Sequence, residues 1–375
     1  MLFATPIPTS EEIGVIDGID DLRRRLSYAT SGPLRWTGLL RRSTFARAVR
    51  GSNSIEGYNV TLEDAIAAAE GEEPLDAEHE AWAAVVGYRN AMTYVLQLAD
   101  DPHFSYSEGL LRSLHYMMLH YDLSKHPGKW RPGLIYVRNE QTGAVVYEGP
   151  DAEKVPQLMG ELIDFLNKTD GTSVMVRAAM GHLNLAMTHP FSDGNGRMAR
   201  GLQTLVLARE GILMPQFCSI EEYLGRNTQE YYGVLAEVGA GGWHPERDAR
   251  PWVRFCLTAH FRQASTLLRR TREIQRVWDE LEVEAKRRQL PERLIFALAD
   301  AAFGLRVRNS TYRSAAEVSE NVASRDLKLL VDAGLLIPHG ERRGRSYVAS
   351  ELIRSIRERA REPRVHEDPF APGSD

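Results

Sequence analysis

Apolar positions along this chain recur mostly at intervals of three and four residues, the period of helices that bury one face. The pattern predicts helices over residues 78–98, 107–120, 155–167 and 228–238, a helical stretch from 20 to 29, and a helix over 43–49 that breaks at Gly51. Residues 1–18, with Pro6, Pro8 and scattered glycines, read as an extended arm. Thr61 caps a short helix, TLEDAIAAAEG, whose acidic first turn suits its dipole. Two stretches depart from the common period. SVMVRAAMGHLNLAMT, residues 173–188, is apolar all round and predicts a buried helix ending near Pro190, followed by a second helix from about Asn195 to Gly211. Between Gly128 and Gly149, LIYV, RNEQTG and AVVY read as two short strands around a polar turn, a hairpin in an otherwise helical chain.

Composition narrows the class. With 375 residues and 43% hydrophobic content, the chain can bury a sizeable core and is expected to hold two or three domains. A net charge of −5 and a pI near 6.2 argue against a surface that coats nucleic acid, while leaving room for a local basic patch. Cys218 and Cys256 are distant from each other and from any His cluster, which points to a reducing compartment and no structural zinc. No apolar run reaches membrane-spanning length, and MLFATPIPTSEEIG lacks a basic region followed by an apolar core. The cytoplasm is the expected location.

Chemistry concentrates in HPFSDGNGRMAR, residues 189–200. His189, at a helix end, can deprotonate an incoming hydroxyl. SDGNG tolerates positive φ, so its N–H groups can line an anion nest, and that nest coincides with a helix N-terminus. Arg197 and Arg200, three residues apart, share a helical face, and two forked cations suit a polyphosphate. Asp193 beside them is a natural Mg²⁺ ligand. Each part alone has an ordinary reading as turn, cap or solvated charge. Together they favour in-line transfer of a nucleotide or phosphoryl group. Outside this run, SNSIEG at 52–57 reads as a polar turn with one glutamate, and Tyr231 and Tyr232 read either as core packing or as a wall against adenine.

The run also resembles the signature of the Fic family: His, any, Phe, any, Asp or Glu, Gly, Asn, Gly, Arg, any, any, Arg. Every fixed position is filled. The resemblance covers roughly residues 40–260 and implies a mainly α protein, a Fic-type helical bundle with a β-hairpin flap. It implies AMPylation, the transfer of AMP from ATP to a Ser, Thr or Tyr hydroxyl of a protein, with Mg²⁺. His189 would be the base, Asp193 the metal ligand, and Phe191 the residue packing the loop. Gly194, Asn195 and Gly196 would cradle the α- and β-phosphates, Arg197 and Arg200 would hold the β- and γ-phosphates, and Met198 and Ala199 complete the nucleotide-binding run. The hairpin 134–147 resembles the flap that holds a target segment by its strand edge. Ser52, Glu56 and Gly57 match the family's inhibitory motif, and Glu56 would pair with Arg200 near solvent. Self-modification, removal of AMP and transfer of other phosphate-linked groups stay open. So does a nucleotide-sensing DNA-binding regulator, against which His189, Asp193 and both arginines weigh.

Beyond a Gly- and Pro-rich bend at GAGGWHPERDARPW, residues from Trp252 to about Arg288 read as one long charged helix, a spacer. PERLIFALADAAF, SAAEVSE and SRDLKLLVDAGL then read as three helices, and LLIPHGERRGRSYV as a two-stranded wing. This resembles a winged helix-turn-helix offering Ser324, Arg325 and Lys328 outward. Residues 291–353 carry nine Lys and Arg against eight Asp and Glu, a weak footprint for DNA outside Arg342, Arg343 and Arg345. Protein contact or a homodimer is favoured over DNA binding. The expected divisions are an inhibitory N-terminal region 1–100, a catalytic core 101–260, a connecting helix 261–290, a winged helix 291–353 and a disordered tail 354–375.

Overall fold

The computed structural model describes residues 1–31, 35–74, 76–138, 142–340, 345–364 and 367–371. In chain order it builds α1 (Ser10–Thr30), α2 (Thr37–Ile55), α3 (Leu62–Glu70), α4 (His79–Gln97), α5 (Glu108–Leu119), β1 (Tyr136–Arg138), β2 (Val145–Glu148), α6 (Val155–Asn167), α7 (Val174–Thr188) and α8 (Asn195–Ala208). There follow α9 (Glu221–Arg226), α10 (Thr228–Gly239), α11 (Arg250–Arg287), α12 (Ile295–Ala302), α13 (Asn309–Ala316), α14 (Glu320–Asp332), β3 (Leu336–His339), β4 (Ser346–Ala349) and α15 (Glu351–Ala360). The fold is therefore mainly α with two small antiparallel hairpins. Among the described residues no helix is long and apolar enough to cross a membrane. The chain divides into two compact units, one of residues 1–27, 44–265 and 366–375, the other of 28–43 and 266–365.

In the first unit α7 and α8 are the inner pair. Met175, Met180, Leu183 and Leu185 of α7, and Met198, Leu202 and Leu205 of α8, are all essentially inaccessible. The all-round apolar composition of residues 173–188 explains this placement, because a helix without a polar face must be covered on every side. Trp252 of α11 locks onto α7 by donating its indole N–H to the Ala179 carbonyl at 2.7 Å.

The second unit packs α12, α14 and α15 around the hairpin β3–β4, registered from Leu336 opposite Ala349 to His339 opposite Ser346. Its buried Asp326 is neutralised by a forked contact from Arg293 at 2.7 and 2.8 Å and by the Tyr312 hydroxyl at 2.8 Å. Ser324, Arg325 and Lys328 are exposed on α14. Arg342 and Arg343 lie outside the described residues.

Four local expectations are corrected. α1 begins at Ser10 rather than near 20, because Thr9 and Glu12 form a reciprocal capping box: the Glu12 N–H donates to Thr9 Oγ1 at 3.2 Å and the Thr9 N–H to Glu12 Oε2 at 2.8 Å. The residues before it are no free arm, since Phe3 is buried and sits edge-on to Trp243 at 5.4 Å. α2 does not break at Gly51 but runs to Ile55. A Cβ at Gly51 would stand 2.5 Å from the Glu221 carbonyl oxygen, so this glycine permits a close crossing with α9. The middle helix of the second unit lies at 309–316, not 314–320, because the N–H of Arg308 is held by the Thr311 hydroxyl at 3.2 Å, starting the helix earlier. Finally, α15 occupies 351–360, where a tail had been expected from 354: Ile353, Ile356 and Ala360 supply a buried stripe at helical spacing.

Candidate active site

The loop between α7 and α8 is built from its own side chains. His189 ends α7 in the left-handed region, at φ 49 and ψ 57, a conformation costly for a residue with a Cβ and concentrated at functional positions. Its Nδ1 lies 3.0 Å from the Ala186 carbonyl, which places the ring proton on Nδ1 and leaves the Nε2 lone pair available. Burial lowers its pKa below the ordinary imidazole value, so the ring is neutral near pH 7. Asn195 closes the loop by exchanging hydrogen bonds of 2.9 Å with the N–H and C=O of Phe191. Phe191 in turn stacks on His115, ring centroids 3.7 Å apart and planes at 3°.

His115 and Arg131 support the loop and were not singled out by sequence reasoning. His115 Nδ1 accepts from the Gly128 N–H at 2.8 Å, so its Nε2–H donates to the Asp193 carbonyl at 2.9 Å. Burial pushes its pKa down to about 4, which keeps that pattern intact. Arg131, 4% exposed, donates to the His189 carbonyl at 2.8 Å, to the Gly133 carbonyl at 2.5 Å and to the Pro150 carbonyl. Its own N–H reaches the Pro190 carbonyl at 2.9 Å. One buried guanidinium thus ties the base of the flap to the residue carrying the imidazole. A lone Arg in GKWRPG gives no signal for this, and His115 reads as one more core position.

The charged groups converge on the first turn of α8. Arg197 is fully buried, and among the described residues none of its three guanidinium nitrogens makes a well-formed hydrogen bond, although the Tyr121 hydroxyl stands beside it and favours its charge. The Asp193 carboxylate lies 3.9 Å away, and the ring of Tyr58 lies 5.3 Å from its guanidinium carbon. Burial alone would raise the Asp193 pKa, but Arg197 and then Lys125, 3.1 Å away, outweigh it and hold the carboxyl below its ordinary range. Arg200 is held on one side only: Nε donates to Ser52 Oγ at 2.8 Å, and one terminal nitrogen donates to the Ser52 carbonyl at 3.0 Å and to Glu56 Oε1 at 2.6 Å, while the other terminal nitrogen is buried without a hydrogen bond among the described residues. Burial would lower its pKa, yet Glu56 reverses the sign. A Cβ added at Gly196 would collide with that same Glu56 carboxylate. Glu56 therefore occupies the anion position at the N-terminus of α8.

The ending of α2 explains how Glu56 is aimed. The Tyr58 N–H bonds to the Asn53 carbonyl at 3.0 Å and the Gly57 N–H to the Ser54 carbonyl at 3.2 Å, with Gly57 at φ 83. This is a Schellman cap with glycine at its left-handed position. Ser52, Glu56 and Gly57 are thus one turn of helix plus its stop signal, where the residue pattern alone had suggested a polar loop.

Residues 105–207 match the Fic/DOC family. The matched segment runs from just before α5 through most of α8 and contains the whole loop described above. The chain is 26% identical over 247 residues to the protein adenylyltransferase Fic of Nematostella vectensis, covering 64% of this chain and 52% of that protein. It is 27% identical over 259 residues to the protein adenylyltransferase fic-1 of Caenorhabditis briggsae, covering 67% and 46%. The chain spans about half the length of the curated relatives it matches. The fold is shared with a Fic family protein from Desulfovibrio desulfuricans, at TM-score 0.59 and 22% identity over 92% of this chain and 98% of that one. A Fic domain containing signaling protein from Bacteroides thetaiotaomicron aligns at TM-score 0.55 and 24% identity, over 68% and 96%.

Around this loop the remaining expected residues divide. Met198 and Ala199 are wholly buried, so only backbone is available from them. Tyr231 is 1% exposed, bonded to His182 at 3.1 Å, and belongs to the core, as the packing alternative had it. Tyr232 is 46% exposed and donates its hydroxyl to the Ile55 carbonyl at 3.3 Å, against the segment that carries Glu56. The hairpin β1–β2 pairs Tyr136 with Glu148 and Val137 with Tyr147, then bulges before Arg138. The Tyr147 hydroxyl anchors it to the Met187 carbonyl at 2.6 Å, while Leu134, Tyr136, Val145 and Val146 stay exposed. The expected turn RNEQTG falls partly on residues 139–141, outside the described residues.

Proposed function

We propose that this chain is a protein adenylyltransferase that transfers AMP from ATP to a Ser, Thr or Tyr hydroxyl of a protein and is held at low activity by Glu56. The observation that carries this reading is Arg197: a buried guanidinium without a well-formed hydrogen bond among the described residues, beside the N-terminus of a helix that no side chain caps. Such a group is costly unless an anion completes it. Phosphate oxygens meet that need, which supports ATP as the substrate. Asp193, partly exposed and held ionised, is the residue that would hold Mg²⁺, and the ion when bound would withdraw charge from the phosphates.

The chain's own residues supply the rest. His189 Nε2 accepts the proton of the target hydroxyl, the oxygen forms a bond to the α-phosphorus, and the bond to the β-phosphate oxygen breaks to release pyrophosphate. Arg131 and the Phe191–Asn195 clasp keep the imidazole aimed. The exposed edge of β1–β2 would take the target segment as an added strand. Gly196 would offer its backbone N–H to phosphate, whereas the Gly194 N–H is held by Asp193 Oδ1 at 2.6 Å and the Asn195 side chain is committed to shaping the loop. Of the two tyrosines, the exposed Tyr232 is the one that would meet a base.

For the second unit we infer a winged helix-turn-helix with α14 as its outward helix. Lys328 is paired with Asp332 at 2.6 Å, which weakens the positive face and favours contact with protein over DNA. The test of the main reading is incubation with ATP labelled at the α-phosphate, with and without Mg²⁺, followed by mass analysis of the protein and of candidate targets. Metal-dependent addition of AMP to a hydroxyl is expected. Label recovered only as free nucleotide would refute transfer.

A further inference from the structure

Asp193, assigned above to magnesium, already faces a cation. Lys125 ends the short turn Leu123–Lys125 that follows α5, and its Nζ lies 3.1 Å from Asp193 Oδ2 and donates to the Tyr58 hydroxyl at 2.9 Å. The ammonium also stands over the rings of Tyr58 and Tyr121 at 5.6 and 5.7 Å, and its side chain is only 21% exposed. A surface lysine pairing for solubility would have solvent on most sides. This one is walled by two aromatic faces and a carboxylate, and one of those faces, Tyr58, follows Gly57 directly. The cap that brings Glu56 to Arg200 therefore also brings Tyr58 to Lys125 and lays its ring beside Arg197.

We propose that Lys125 is the resident cation of the Asp193 site, held there by Tyr58, and that a divalent metal must displace it. The proposal rests on the reading of Asp193 as a metal ligand. Asp193 Oδ2 already faces Lys125 at 3.1 Å and the buried Arg197 at 3.9 Å, so a divalent ion arriving there is repelled by both, and the ammonium on its flexible stem is the one that can leave, taking a partner from the Tyr58 hydroxyl. By linkage, release of 56–58 raises metal affinity to the same degree that metal loosens 56–58. Lys125 is in this sense a positioning residue. It neutralises Asp193 while the segment is docked and makes metal binding and release of Glu56 one event instead of two.

The experiment is Mn²⁺ titration of the full chain, with a non-hydrolysable ATP analogue present, reading free Mn²⁺ by electron paramagnetic resonance. Lys125→Met should tighten Mn²⁺ by roughly two- to fivefold, the range that a partly exposed ion pair supports. Lys125→Arg, which keeps the charge, should stay at the wild-type value, and Tyr58→Phe should fall between. Hydrogen exchange at 56–58 should accelerate with saturating Mg²⁺ in the wild type and not in Lys125→Met. Unchanged or weaker Mn²⁺ binding by a folded Lys125→Met, with Asp193→Ala still abolishing binding, overturns the proposal while leaving the metal assignment standing. Wild-type Mn²⁺ affinity in Asp193→Ala would remove the assignment itself, and the proposal with it.

Discussion

Replacing Glu56 by Gly tests the restraint most directly. The carboxylate bonds Arg200 at 2.6 Å, and the arginine is wholly buried while the Glu56 side chain is 19% exposed. A charge-assisted hydrogen bond of this kind contributes about 1.5–3 kcal/mol, which in a docking equilibrium is a shift of about 10- to 150-fold. Misplacing a reacting phosphate by about 1 Å costs on the order of a hundredfold in rate, a similar magnitude reached by a separate route. Glu56→Gly should therefore raise the initial rate of AMP incorporation by about 10- to 150-fold at saturating ATP, self-modification included. The stability effect differs from the sequence expectation of a pair near solvent. Arg200 keeps Ser52 Oγ and the Ser52 carbonyl as acceptors but loses its carboxylate in a buried setting. The cost should be about 1–3 kcal/mol, visible as a fall of several degrees in Tm. Arg200→Ala should not mimic the gain, since it also deletes the proposed phosphate ligand. A folded Glu56→Gly protein transferring AMP at the wild-type rate would refute the reasoning.

Four further outcomes are expected. His189→Ala should lower transfer by about 10²- to 10⁴-fold while ATP affinity, read by calorimetry, stays near wild type. Asp193→Ala should abolish the dependence of transfer on Mg²⁺, so coincident metal titration curves for mutant and wild type would remove its role. Arg131→Lys cannot serve three carbonyls with one fork and should cost roughly 1–3 kcal/mol in thermal unfolding, with modification of a target falling more than nucleotide affinity. In pH titrations the sign follows from burial, which holds His115 at about 4 and His182 and His260 at about 3. The unfolded chain takes up protons near pH 6.5 that the folded chain refuses, so stability is full above about 6.5 and declines toward pH 4, by about 1.4 kcal/mol per pH unit for each histidine. His260→Gln should flatten the decline by one proton, as measured by denaturant unfolding across that range.

Long apolar periodicity was easily read: α4, α5, α6, α10 and α11 lie within a residue or two of their expected bounds, because tertiary packing uses the same stripe that the pattern displays. Ends were less legible. The capping box Thr9–Glu12 was present in the sequence, yet Gly14 and Gly18 disguised the helix behind it. Gly51 read as a breaker because its reason, contact with α9, is long-range. At the site, the residue types within 189–200 pointed to base, carboxylate and arginines. Which arginine would be held by hydrogen bonds could not be read there, since the partners of Arg200 are Ser52 and Glu56, more than 140 positions away. Arg131, His115 and Lys125 escaped for the same reason: each acts through backbone carbonyls or a distant carboxylate that no local pattern reveals.

The Schellman cap on α2 gives the brake a kinetic character. Glu56 is held by the last turn of a helix, and helix ends open on timescales of nanoseconds to microseconds, far faster than enzymatic turnover at 1–10³ per second. The brake proposed for Glu56 would not hold the protein in a long-lived off state. Under the proposed autoinhibition, every molecule would sample the open ending many times within one catalytic cycle, and wild-type output would be a steady leak proportional to the fraction of time the turn is frayed. The fold gain on removing Glu56 then reads out that fraction as its reciprocal, and anything that stabilises or melts a single helical turn, including a partner gripping residues 52–58, would act as a continuous dial on the rate.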